Sequence, residues 1–374
     1  GFIKKTNLSS DWVLMDSMRG ITTGGYDAFL RPNLQSTEVS DELITLQPTG
    51  FKLASNSSRV NSSAASPNYI YIAIRRGSLF PPESATEVFA IDQGGGSSNP
   101  ALVSGFPVDM AIRHYTTGNN HDIANRLTGG RMYTNLTNAE DAYGSFDYSN
   151  GYQFHSSPTT AEYHHMWKRA PGFFDVVAYT GDGATQTVSH NLGVAPEMVI
   201  IKTRDNLPFI DDWIVHHKDL VGIYGYPSTG IRLNSTQAFV GYASLNEAPT
   251  SSEFVVGNTN TVNTSGSDYI SYLFASLPGI SKVGSYTGNG SAQDISLGFN
   301  PRLFITKNID SAFPWYVFDS ERGIVAGNDP FLMLNSGSAQ GTSLDMVDPI
   351  TNGIRLVYSS VNNSGDKYIY YAIA

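Results

Sequence analysis

The residue types best suited to chemistry are histidines and carboxylates, and their spacing decides how far a catalytic reading can go. All eight histidines fall between His114 and His217. Imidazole is the commonest metal ligand and a natural acid–base group. Yet His164-His165 and His216-His217 are adjacent pairs in segments with strand character, where neighbours point to opposite faces and cannot hold one ion together. His155 with one member of the 164/165 pair is the only remaining arrangement, and no metal or cofactor is expected. Paired acids such as Asp211-Asp212 and Asp41-Glu42 are of the type that flanks a scissile glycosidic bond, but adjacent acids more simply solvate a loop. Asp16 with Arg19, and Asp319 with Arg322, are spaced for an acid beside an electrophile. The same spacing makes an Asp-capped turn with a local ion pair, which is the reading preferred. Nucleophile elbows, zinc-binding helices, phosphate loops and dinucleotide fingerprints are absent. The chain is read as non-enzymatic.

Composition narrows the remaining classes. The 374 residues are 40% hydrophobic but only 15% charged, and they include no cysteine. Disulfides, thiolate metal sites and cysteine nucleophiles are thereby excluded. A formal charge of −10 opposes binding to nucleic acid or anionic lipid. No stretch reaches the roughly 18 apolar residues of a membrane-spanning helix, and GFIKKTNLSS lacks a signal-peptide core, so no membrane insertion is expected. Abundant Gly, Ser, Thr, Asn and Tyr suit short strands and tight turns.

The elements that would position these residues are repeated. Trp12 in SSDWVLMDSMRG and Trp315 in AFPWYVFDSERG both fit W-x-x-x-D-S-x-R-G, and Trp213 in DDWIVHHKDLVG is a third copy with His217 in place of the Asp. Ile123 in DIANRL is aligned with the tryptophan in a further copy. Downstream, Val-Asn-x-Ser turns (Asn61, Asn263, Asn362) precede strands opening on Tyr69, Tyr269 and Tyr368, and Tyr163 in SSPTTAEYHHMW takes the fourth such place. The period is roughly 100 residues. Tyr179 to Lys202 and Tyr286 to Lys307 read as hairpins turning at Asp182-Gly183 and Asn289-Gly290. The expected fold is all-β: four tandem β-sandwich modules at 1–78, 79–171, 172–279 and 280–374, joined near Pro81-Pro82, Pro171-Gly172 and Pro278-Gly279. The first lacks its N-terminal hairpin, so the natural chain is expected to extend upstream.

The repeated residues are assigned to the fold. The tryptophans sit in apolar strands and are expected to pack in cores rather than stack on sugars. The Asn is read as a turn residue bonding its own backbone. Function is sought where the copies differ, in the loops ITTGGYDAF, LTGGRMYTNL, VGIYGYPSTG and IVAGNDPF, a fixed scaffold with variable tips. Tyr26, Tyr133, Tyr224 and Tyr226 are the candidate carbohydrate-stacking residues there, with loop anchoring or module contact as the alternative.

Segments such as YIYIAIRRG, SGFPVDMAIRH, WKRAPGFFDVVAYTGDGATQTVSHNLGVAPEMVIIK, YLFASLPGISKVGSYTGNGS and RGIVAGNDPFLMLN resemble the repeated C-terminal regions of tail-fibre-type and tail-associated virion proteins of marine bacteriophages, over essentially the whole chain. The resemblance implies a structural component of the virion surface, on the tail, that contacts other virion proteins and a host-surface glycan or protein. It also implies a homo-oligomer, with a trimer favoured, and no catalytic residues. The alternative role is a purely structural appendage, head fibre or decoration protein. A glycan-degrading tailspike comes third, because such proteins often use β-helix repeats of about 20–30 residues.

Overall fold

Short β-branched and aromatic runs between Gly, Pro, Asn and Ser turns dictate strands. The computed structural model is accordingly all-β, with helix among the described residues confined to single turns such as Asn260–Asn263 and Ser359–Asn362. The structure describes residues 1–21, 26–47, 50–53, 57–63, 67–74, 80–96, 99–142, 146–154, 157–207 and 212–374. His155 and Asp211, singled out above, lie outside them. No helix among the described residues is long and apolar enough to cross a membrane.

One sheet plan recurs. Near the C-terminus the order is Ser281–Thr287, Lys367–Ile373, Leu303–Asn308, Trp315–Asp319, Leu332–Met333. Before it, Phe174–Thr180, Asp268–Phe274, Met198–Thr203, Ile214–His217 and Gly230–Arg232 follow the same order. Phe89–Gln93, Glu162–Trp167, Met110–Tyr115, Asp122–Asn125 and Gly130–Tyr133 do so again, with Asp141–Ala142 added at the edge. At the N-terminus Tyr69–Ile72, Phe2–Lys5 and Val13–Leu14 repeat the middle of the plan. We call these stretches the first to fourth units in chain order. In the third and fourth, a smaller sheet covers one face of the large one: Gln186–Ser189 with Glu253–Val256, and Gln293–Ser296, Gly353–Leu356 and Val347–Ile350. The second and third units, and the third and fourth, are joined by tight turns in which Gly172 and Gly279 adopt φ of +74° and +75°, a conformation that suits glycine.

Three details differ from the sequence reading. Tyr179 to Lys202 is not a hairpin. Phe174–Thr180 pairs with Asp268–Phe274, while Gln186–Ser189 pairs with Glu253–Val256 in the other sheet, so Asp182-Gly183 carries the chain between sheets. The Asn of Val-Asn-x-Ser holds that crossing rather than its own turn. Asn263 ends a helical turn, and its Oδ1 accepts from Asp182 N at 2.9 Å; Asn362 likewise accepts from Asn289 N at 2.9 Å. The second unit is also out of step with the alignment. Trp167, Phe274 and Ile373 occupy one register position opposite Met110, Met198 and Leu303, so the partner of Tyr269 and Tyr368 is Glu162, not Tyr163. A slip of one residue reverses the face. Tyr269 and Tyr368 pack inside their own units, whereas Tyr163 packs on the cluster between units. By the same register His121, not Ile123, stands opposite His114 where Trp315 stands opposite Lys307.

The two faces of each large sheet have different partners. In the third unit Val199 and Ile201 face its own core, whereas Met198 and Ile200 face a cluster shared with the second and fourth units. The tryptophans belong to that shared cluster. Trp213 Nε1 donates to Tyr133 O of the second unit at 2.9 Å, and Trp315 Nε1 donates to Arg232 O of the third at 2.9 Å. Beside them the buried ammonium groups of Lys202 and Lys307 donate to Thr137 O at 3.4 Å and Thr236 O at 3.0 Å. The second unit closes the circuit on the fourth: Thr134 Oγ1 donates to Leu334 O at 2.7 Å, and His165 Nε2 lies 3.0 Å from Asp319 Oδ2. His165 and Tyr272 share a register position, as do Asp319 and Asn125, and Asn125 Nδ2 donates to Tyr272 Oη at 3.1 Å. Contacts of one sense between like units close into a ring. Trp213 and Trp315 are thus buried as expected, but in seams between units; Trp12, in the first unit, is half-buried.

Candidate functional site

The second unit departs from the others inside its own fold. Ile201, Ile214 and Tyr269 of the third unit, Ile3, Val13 and Tyr69 of the first, and Thr306, Tyr316 and Tyr368 of the fourth occupy three register positions facing the unit's interior. In the second unit these positions hold Arg113, Asp122 and Glu162. All three are buried. Burying a charge costs several kcal/mol unless it is well paired, and here the pairing is dense. Arg113 Nε donates to Asp122 Oδ2 at 2.7 Å, Nη2 donates to the same oxygen, and Nη1 reaches Glu162 Oε2 at 3.5 Å. The guanidinium lies over the rings of Phe154 and Tyr115, 4.0 and 4.6 Å from their centroids. Burial pushes the Asp122 carboxyl upward against the pull of Arg113.

This network forms the floor of an open cavity of about 380 Å³. Its walls are Tyr115, Asn119, Asn120, Arg131 and Tyr133. Arg131 is held by Asp141 through a bidentate pair at 2.8 and 3.1 Å, touches Asp122 Oδ1 at 3.4 Å and lies 5.2 Å from the Tyr133 ring centroid. Two guanidinium groups and two carboxylates on the lining cancel in charge. Such a cavity offers fixed donors and acceptors between aromatic edges without a net field, which suits a neutral polyhydroxylated ligand better than a phosphate or sulfate.

Of the four tyrosines expected to stack on sugar, only Tyr133 lines this cavity. Tyr26, 78% exposed, belongs to the first unit. Tyr224, 60% exposed, ends the helical turn Val221–Tyr224 with its ring 5.3 Å from Phe239, and Tyr226 stacks on His216 at 5.8 Å, both in the third unit and away from the cavity. Arg113, Asp122, Arg131 and Glu162 escaped sequence reasoning because only strand register brings them together. The signal that would have found them is the appearance of charge at positions that are uncharged in the sister units.

The remaining polar groups serve structure. Asp16 caps its turn, accepting from Met18 N and Arg19 N at 3.0 Å each and pairing with Arg19 Nε at 3.0 Å. Asp319 repeats this with Arg322 Nε at 2.6 Å, and Arg322 and His165 hold its carboxyl below the usual range in spite of burial. His114 packs its ring against His165 and His121 in tilted contacts, with centroids 4.7 and 4.8 Å away, in the seam between the second and fourth units. Burial pushes all three toward the neutral form. Among the described residues no group of three His, Asp or Glu is arranged to hold a metal ion.

The fold thus defines an all-β protein of recurring sheet units with a polar cavity in the second. Residues 168–374, more than half of the chain, match the family model described as a domain of unknown function, DUF7483, and the chain belongs to this family. No curated protein matches it.

Proposed function

We propose that the chain is a tail-fibre-type adhesin of a virus particle that binds a host-surface glycan in the cavity of the second unit. The observation that carries the binding reading is the exchange of an uncharged interior, kept by the sister units, for a charge-balanced polar cavity flanked by Tyr115 and Tyr133. Asp122 and Glu162 are both engaged by Arg113, an arrangement that fixes acceptors for hydroxyl groups and leaves neither acid free as a proton donor. Placement on the virion and its tail rests on the sequence resemblance. The sealed ring of units also suits a purely structural appendage, the second reading.

The test is binding of the full chain to an array of bacterial surface glycans and to host cells, compared with Tyr115→Ala and Tyr133→Ala. Binding by the parent protein with at least tenfold loss in either variant, the worth of one aromatic contact of about 1.4 kcal/mol, supports the reading. Absence of binding, or binding indifferent to both substitutions, leaves the structural role. Release of reducing sugar from the glycan would establish hydrolysis instead.

A further inference from the structure

The three seams of the ring repeat one backbone contact and differ in the groups that seal it. Glu140 N donates to Arg204 O at 2.9 Å, Phe239 N to Ile309 O at 2.7 Å and Gln340 N to Thr116 O at 3.0 Å. The acceptors follow, at equal distance, the register position held by Lys202, Lys307 and His114. In the first two seams a lysine and a tryptophan donate to carbonyls of the adjoining unit. Between the second and fourth units that pair is His114 and His121. His121 faces the carbonyls of Ser336 and Met333, the latter the counterpart of Tyr133 and Arg232. Both ring nitrogens of His114 are buried without a hydrogen-bond partner among the described residues. The titratable and charged groups around His114, His121 and His165 are Asp319, Arg322 and Arg302 of the fourth unit, with Glu321 beside Arg302, and His164 and Tyr163 of the second. Asp319 is already engaged by Arg322 and His165, so a proton on His114 or His121 enters a buried seam beside the Arg322 cation. The same seam carries a wall of the cavity. Asn119 and Asn120, on its lining, belong to the turn at 116–120, which lies on residues 336–341 of the fourth unit. The approach is backbone to backbone: a Cβ on Gly337 would come 3.2 Å from Asn119 O, and one on Gly118 would come 3.1 Å from Ala339 N.

We infer that acid opens the ring first at the seam between the second and fourth units, and with it releases the 116–120 wall of the cavity. The sign follows from linkage. An imidazole kept neutral in the closed seam and able to charge in the open one favours closure above its ordinary value of 6.5, and that contribution is lost as pH falls toward the closed-state value, about 4 for His121. Three such groups act together here. The seam between the third and fourth units has one, His217, at about 3, while Lys307, lowered by burial to about 7, titrates above this window. The seam between the second and third, sealed by Lys202, Trp213 and the Asn125–Tyr272 pair, has no histidine among the described residues. Release of a bound glycan by the loosened wall rests on the function proposed above; the opening itself does not.

The test is residue-resolved amide hydrogen exchange of the full chain at neutral pH and at about pH 4.5, where these imidazoles charge once exposed, expressed as protection relative to an unstructured peptide at each pH. Gln340, Glu140 and Phe239 report the three seams through equivalent bonds. Protection at Gln340 is expected to fall at least about tenfold in acid while Glu140 keeps its own and Phe239 changes less than Gln340. His114→Lys with His121→Trp, which rebuilds the pair of the sister seams, is expected to keep Gln340 protected; His121→Phe, a smaller change, is expected to lessen the loss. Exchange needs no ligand, so a failure of the glycan reading leaves this result standing. Equal loss at all three amides, no loss at Gln340, or a loss that neither variant reduces overturns the inference.

Discussion

Replacing Trp213 by alanine tests the seam that holds the ring together. The side chain is fully buried in the cluster shared by three units, and its Nε1–H satisfies the Tyr133 carbonyl at 2.9 Å. Truncating a buried tryptophan costs about 3–5 kcal/mol, from lost transfer energy and the cavity left behind. Trp213→Phe keeps most of the apolar contact and sacrifices chiefly the hydrogen bond, at about 1 kcal/mol. The contrast separates packing from hydrogen bonding at one position. In a chain of this size about 3–5 kcal/mol lowers the melting temperature by roughly 5 °C. Because the second, third and fourth units share one core, the loss should appear as a downward shift of one cooperative transition, read by calorimetry and tryptophan fluorescence. Trp12→Ala, at a half-buried position, should cost much less. The opposite result is that Trp213→Ala costs no more than Trp12→Ala, or that it melts the third unit alone while its neighbours keep their midpoint; either would refute a shared core.

Acid should weaken the fold through its buried histidines. Burial lowers His121 to about 4 and His216 and His217 to about 3, from an ordinary value of 6.5, so the unfolded chain binds more protons in between. Stability is then complete above 6.5 and lost as pH falls toward 3; urea midpoints across this range should drop, and His121→Phe should flatten the slope. Asp319→Asn should cost about 3–5 kcal/mol in urea unfolding, because it leaves Arg322 buried beside a neutral group and releases His165. The same change at the partly exposed Asp16 should cost far less. Asn362→Ala should cost about 1–3 kcal/mol by orphaning Asn289 N and Ser291 O, whereas Asn61→Ala, at an exposed position, should leave the melting temperature unchanged.

The all-β fold was legible because turn residues and β-branched runs alternate along the chain, and the recurrence was legible because tryptophan and tyrosine mark the same two strands. The second unit misled because its landmarks are the residues it has exchanged. Its lysine–tryptophan pair has become His114 and His121, and its tyrosine Glu162, so alignment by residue type settled on the neighbours Ile123 and Tyr163. Those exchanges also build the cavity and the histidine seam, which is why the least recognisable unit holds the site. The cavity itself could not be read in advance: Arg113 meets Asp122 and Glu162 at sequence separations of 9 and 49, joined only by strand register. The role of the Val-Asn-x-Ser asparagine was hidden for a related reason, since its partner lies 81 residues upstream in the third unit. Trp213 and Trp315 were rightly read as buried, whereas Trp12 is only half-buried, and period-two alternation reports which residues share a face but not whether that face meets its own second sheet or another unit.

The claim that the second unit holds a glycan site is tested most directly by soaking crystals of the full chain with oligosaccharides prepared from a host-surface glycan to which it binds. A sugar ring is expected between Tyr115 and Tyr133, with its hydroxyl groups on Asn119, Asn120 and the Arg113–Asp122–Arg131 network. A cavity holding only water while the sugar occupies another unit, or no ordered sugar at all, would contradict it.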